Sequence, residues 1–140
     1  MEKIVHTVLE VGLEAPVKIL HITDVHLTIA NDQDSEEMAK TMDRRREVFY
    51  KEGNCPPHTP SEYFAEAIAL AEEMGALLVC TGDVCDLDNF GCREEFLRIA
   101  EGHDMMFTPG GHEYQKRYVR TIEEGAEHIR TVRHGENGNG

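Results

Sequence analysis

The apolar and polar positions change period several times along the chain. Residues 3–11 alternate and are rich in β-branched side chains, which predicts a strand. Residues 12–16, opened by Gly12 and closed by Pro16, predict a turn. Residues 17–23 predict a second strand, and the two strands form a hairpin. The second strand leads through Ile19-Leu20-His21-Ile22-Thr23 into Asp24-Val25-His26-Leu27, after which the pattern turns polar. Ser35 can cap a helix running to about residue 51, with Glu36 and Glu37 in its first turn. Met38, Met42, Val48 and Phe49 give that helix a broken apolar stripe, and Arg44-Arg45-Arg46 reads as its solvated face.

Residues 53–57 break the pattern. Thr59-Pro60-Ser61-Glu62 then supplies an N-cap, a proline at the first helical position and the glutamate of a capping box. The helix it starts runs to Met74, with Phe64, Ala67, Ile68, Ala71 and Met74 on one face, and Gly75 ends it. Residues 76–81 are a short apolar run of the kind found in buried parallel strands. A loop over 82–89, a helix over 93–101, a strand over 105–108 and a loop over 109–113 follow. Residues 114–128 read as a helix, and residues 134–140, rich in Gly and Asn, as a disordered tail. Helices alternating with strands predict the α/β class, with residues 1–133 forming one domain.

Composition narrows what such a domain can bind. A net charge of −13 over 140 residues argues against nucleic acid and against anionic membranes. It argues equally against an anionic substrate, unless bound cations reverse the local field. Cys55, Cys80, Cys85 and Cys92 lack a C-x-x-C spacing, and no apolar run approaches the roughly 20 residues that span a bilayer. With no signal peptide at the start, this predicts a soluble protein of the reducing cytoplasm, its thiols free and used as small buried hydrophobes.

Polar residues with metal-ligand chemistry sit after each of the three central strands: Asp24-x-His26, Gly82-Asp83-x-x-Asp86 and Gly110-Gly111-His112-Glu113. Sites in open α/β sheets form at the carboxyl ends of strands, and glycines there permit close backbone approach. Mixed carboxylate and imidazole donors suit Mn²⁺, Fe²⁺ or Zn²⁺. Taken singly, the first motif also fits a strand-end turn, the second a loop with a helix cap, and the third plain turn chemistry. Independent turns need not put metal-type residues at successive strand ends, so the three in order favour a site. His21 reads as a half-buried structural histidine, and His128 and His134 as surface residues.

These three blocks, in this order, resemble the calcineurin-like metallophosphoesterases, whose pattern runs D-x-H, G-D-x-x-D, G-N-H-(E/D), a lone His and G-H-x-H. The resemblance covers residues 18–113. It implies the N-terminal part of a four-layer α/β/β/α sandwich, mostly one mixed sheet with flanking helices. It implies a phosphoester substrate and a divalent metal, one ion in this chain and two in the complete family site. Asp24, His26 and Asp83 match metal ligands, and Asp83 the bridging carboxylate. His112 matches the catalytic histidine that meets the phosphate and assists the leaving group, and Asp86 and Glu113 match supporting positions. Gly111 stands where the family carries a ligating Asn, and the last two His blocks lie beyond the chain. The implied function is a metal-dependent phosphoesterase that is weakly active or inactive alone. The alternative is a non-catalytic metal-binding or protein-interaction module on the same scaffold. Either implies that a second chain or self-association covers the open sheet.

Overall fold

The computed structural model describes residues 4–51 and 58–113. Six elements follow one another: β1 (Ile19–Ile22), α1 (Glu36–Lys51), α2 (Pro60–Met74), β2 (Leu77–Thr81), α3 (Phe90–Ala100) and β3 (Met105–Thr108). The strands form one sheet in the order β1-β2-β3, parallel throughout. The class is therefore α/β, and within the described residues the sheet is parallel rather than mixed.

The N-terminal hairpin does not form. Residues 4–17 carry no strand and are exposed along their whole length. Alternation of β-branched residues is only a preference. It becomes a strand when a ladder partner and a packing surface repay the entropy of ordering, and among the described residues this segment has neither. The helix expected over 114–128, the tail over 134–140, the break over 53–57, Cys55, His128 and His134 lie outside the described residues.

Helices α1 and α2 start where local chemistry says they should. Ser35 Oγ accepts the Met38 N–H at 3.1 Å and opens α1. Thr59 and Glu62 form a reciprocal capping box at α2, and Gly75 closes it with a left-handed φ of 57°. Helix α3 begins three residues before the sequence-based start because its cap comes from elsewhere. The Asp34 carboxylate accepts the N–H groups of Phe90 and Gly91, each at 3.0 Å, and the Asn89 side-chain amide at 2.7 Å.

The core lies between one face of the sheet and the helices. Leu20, Leu78, Cys80 and Phe107 point inward from the strands, and Phe64, Ile68, Phe96 and Ile99 meet them from α2 and α3. Phe96 stacks on Phe64 with ring centroids 5.7 Å apart and tilts against Phe107 at 5.4 Å. Among the described residues no element covers the opposite sheet face, where Ile19, Leu77 and Met106 are exposed. His21 lies on that face, exposed rather than half-buried, with Nε2 2.6 Å from Thr81 Oγ1. Among the described residues, no helix is long and apolar enough to cross a membrane.

Candidate metal centre

Parallel strands place the loops that follow them at the same sheet edge. Here the loops after β1 and β2 continue side by side as a backbone zipper. Asp24 N–H donates to Gly82 O at 3.2 Å, His26 N–H to Asp83 O at 3.0 Å and Leu27 N–H to Val84 O at 2.7 Å. Asp86 N–H returns to Leu27 O at 3.0 Å, closing a parallel bridge between Leu27 and Cys85.

The third loop is fastened to the second through side chains. Glu113, 3% exposed, accepts three backbone N–H groups: Asp83 at 2.9 Å, Cys85 at 3.0 Å and Gly110 at 2.7 Å. The Asp83 carboxylate accepts the His112 N–H at 2.9 Å. Gly82 and Gly110 make this approach possible. A Cβ on Gly82 would lie 2.5 Å from Gly110 Cα, and one on Gly110 would lie 2.2 Å from Asp83 Oδ1.

The result is a compact donor set. One ligand atom each of His26, Asp83 and His112 lie within 4.8 Å of one another. Donors of a single ion at about 2.1 Å sit roughly 3–4 Å apart, so side-chain adjustments of an ångström or less fit this trio to one divalent cation. Two imidazoles and a carboxylate suit a first-row ion.

Both rings are oriented by Asp86, which is wholly buried. His112 Nδ1 lies 2.6 Å from the Asp86 carbonyl oxygen. A carbonyl only accepts, so Nδ1 carries a hydrogen, and in the neutral ring the lone pair is on Nε2. His26 Nδ1 lies 3.3 Å from Asp86 Oδ1, and its Nε2 lies 3.6 Å from Asp24 Oδ1. The two rings meet edge to face with centroids 4.7 Å apart. The Asp86 hydrogen bond raises the His26 pKa; burial opposes it and is outweighed, and the charges of Asp86, Asp83 and Asp24 add to the rise. Burial alone would raise the Asp86 pKa, but the hydrogen bonds from His26 and Arg45 win and hold it below the ordinary carboxylate value.

Of the sequence-predicted residues, His26 and Asp83 stand together in this cluster and His112 stands with them rather than at its rim. Asp24 takes the rim position. Its side chain is 59% exposed, with Oδ1 3.6 Å from His26 Nε2 and Oδ2 accepting the Thr23 hydroxyl at 2.7 Å. Asp24, His26 and Asp83 are also the three non-glycine residues with positive φ among those described, at 54°, 52° and 53°. Such backbone strain persists where surrounding structure enforces it, and it gathers at functional sites. Sequence reasoning missed Arg45, whose guanidinium grips Asp86 from α1. The arginine triplet reads as surface because its partner lies 41 residues away.

No family model, no curated protein and no solved structure matches the chain. The fold and site define an α/β protein with a three-stranded parallel sheet, flanking helices and a histidine–carboxylate cluster at the carboxyl end of its strands.

Proposed function

We propose that this chain is a metal-dependent phosphoesterase unit of the calcineurin-like kind, weakly active or inactive alone. Its parallel sheet and helices would be one side of a four-layer α/β/β/α sandwich. The observation that carries this reading is the convergence of His26, Asp83 and His112 from three successive strand ends to within 4.8 Å. Enforced left-handed backbone at Asp24, His26 and Asp83 supports it.

His26, Asp83 and His112 would hold a divalent ion such as Mn²⁺, Fe²⁺ or Zn²⁺, with Asp24 beside the His26 nitrogen. A cation bound there supplies Lewis acidity toward a phosphoryl oxygen and a positive local field in a protein of net charge −13. Glu113 and Gly110 keep the third loop against Asp83. The Asp86 carbonyl fixes the His112 tautomer, so its Nε2 can bind an ion or, once protonated, donate to a departing alkoxide. The same reading takes the protein as cytoplasmic, in keeping with the free thiols of Cys80, Cys85 and Cys92.

The test is the metal content of the purified chain, a Mn²⁺ titration followed by melting temperature, and a phosphodiester assay on the same sample. Wild type should gain stability with Mn²⁺ and hydrolyse bis(p-nitrophenyl) phosphate slowly or not at all, and Asp83→Ala should show no gain. No bound metal and no thermal shift in wild type would overturn the reading. Vigorous hydrolysis lost in Asp83→Ala would overturn its inactive half.

The uncovered sheet face favours a second reading. Parallel sheets are ordinarily covered on both sides, and Ile19, Leu77 and Met106 are not. A non-catalytic module that docks a second chain, or a second copy, through this face would show concentration-dependent association and no response to Mn²⁺.

A further inference from the structure

Asp86 has no exposed surface, and a buried carboxylate must be paired and hydrogen-bonded to persist. Its partner is Arg45 on α1. The Arg45 Nε–H donates to Asp86 Oδ2, and Nη2 donates to Oδ1 at 2.6 Å. A two-pronged guanidinium contact fixes the plane of a carboxylate as well as its position, which a point charge does not. That plane matters because Oδ1 also faces both imidazoles, 3.3 Å from His26 Nδ1 and 3.7 Å from His112 Nδ1. The next residue of α1 grips the same stretch of chain. Arg46 Nε and Nη2 each donate to Thr28 O at 3.3 Å, and the Thr28 hydroxyl donates to His26 O at 2.8 Å.

We infer that Arg45 is a positioning residue for the candidate metal centre. By locking the Asp86 carboxylate, which lies 3.3 Å from His26 Nδ1, it holds the ring of His26 in place beside Asp83 and His112. Helix α1 thereby becomes part of the site although none of its side chains belongs to the donor trio. The inference rests on the reading of His26, Asp83 and His112 as metal donors.

The test titrates Co²⁺ into the full chain and follows calorimetry and the visible d–d absorption of the bound ion. Wild type, Asp83→Ala, Arg45→Met and Arg45→Lys are compared, with circular dichroism as the folding control. Wild type should bind one ion and Asp83→Ala none. Loss of a residue that orients a metal-ligating histidine weakens binding roughly 10- to 100-fold, and Arg45→Met should do so with an altered d–d spectrum. Arg45→Lys keeps the charge without the fork, so it should recover thermal stability but neither the affinity nor the spectrum. It also carries the test if Arg45→Met does not fold.

No Co²⁺ binding by wild type, or equal binding by Asp83→Ala, would refute the metal reading itself. Metal binding that depends on Asp83 but is unchanged in affinity and spectrum in the folded Arg45 variants would overturn the role of Arg45 alone. A purely structural arginine would lower the melting temperature and leave the spectrum of the bound ion where it was.

Discussion

Glu113 accepts the backbone N–H of Cys85, 28 residues earlier in the chain, at 3.0 Å. With its bonds from Asp83 and Gly110, this makes one buried carboxylate the fastening of the third loop to the second. Removing it leaves three amides short of an acceptor, and each unsatisfied buried donor costs about 1–3 kcal/mol. Glu113→Ala should therefore lose about 3 kcal/mol or more of stability in urea unfolding. Glu113→Gln keeps one acceptor oxygen but turns an NH₂ group toward amide donors, so it should recover only part of that loss.

The glycines of the third loop should behave oppositely. A Cβ at Gly110 would press into the Asp83 carboxylate and amide, at 2.2 and 2.5 Å. Gly110→Ala must push the loop away from Asp83, so it should lower the melting temperature and abolish Mn²⁺ stabilisation together. A Cβ at Gly111 would meet nothing nearer than Asp83 Oδ1 at 4.0 Å, and its backbone is not left-handed. Gly111→Ala should therefore stay within about 0.5 kcal/mol of wild type, as surface changes usually do. Equal effects at the two positions would show that the close approach of the loop is not what holds the site.

The contrast between these neighbours marks how far the sequence was legible. Elements governed by local chemistry were readable. The capping box at Thr59 and Glu62 set α2, Gly75 ended it, and the apolar run of β3 matched its bounds at Met105 and Thr108. The convergence of His26, Asp83 and His112 was readable because each follows an apolar strand. What failed depended on partners remote in sequence. Residues 4–11 alternate like a strand but meet no ladder. Helix α3 starts early because Asp34 caps it from 56 residues away. Arg45 looked solvated because a charged triplet carries no sign of the buried Asp86 it will meet. Which of Asp24 and His112 stands closer to His26 and Asp83 depends on loop conformation, and residue order carries no such information.

Three thiols lie in the core rather than at the site's surface. Burial, helped by the charge of Glu113, pushes the Cys80 pKa up to about 12. The Cys85 thiol is raised well above its ordinary value by its hydrogen bond with Cys92 and by burial, and Cys92 itself has no exposed surface. The thiolate is the reactive form, so none of the three should react with iodoacetamide at pH 8 in the native state. In urea all three should react. Peptide mass spectrometry resolves them individually, and native labelling of Cys80 would show that the sheet opens against α2 and α3.

Protons and metal should compete for His26. Its folded pKa is raised above 6.5 by the Asp86 hydrogen bond, against the opposing effect of burial. The imidazolium–carboxylate pair therefore stabilises the metal-free protein fully below pH 6.5, and that contribution fades as pH rises through the raised value. Asp86 runs the other way. Its folded pKa is lowered from 3.8, so its contribution is present above that value and fades as pH falls through the folded one. Metal binding needs neutral His26, so Mn²⁺ stabilisation should be smallest below pH 6.5 and grow above it. At a hundred times Kd it should reach about 2.7 kcal/mol, a rise of roughly 10 °C in a domain of this size. Melting curves with and without Mn²⁺ should therefore diverge with increasing pH, the metal-free midpoint losing the His26 contribution while the Mn²⁺ shift grows. His26→Asn should flatten the first trend and remove the second. A Mn²⁺ shift in wild type that is independent of pH from 5.5 to 8.5 would mean that the ion binds without displacing the His26 proton, and so binds elsewhere.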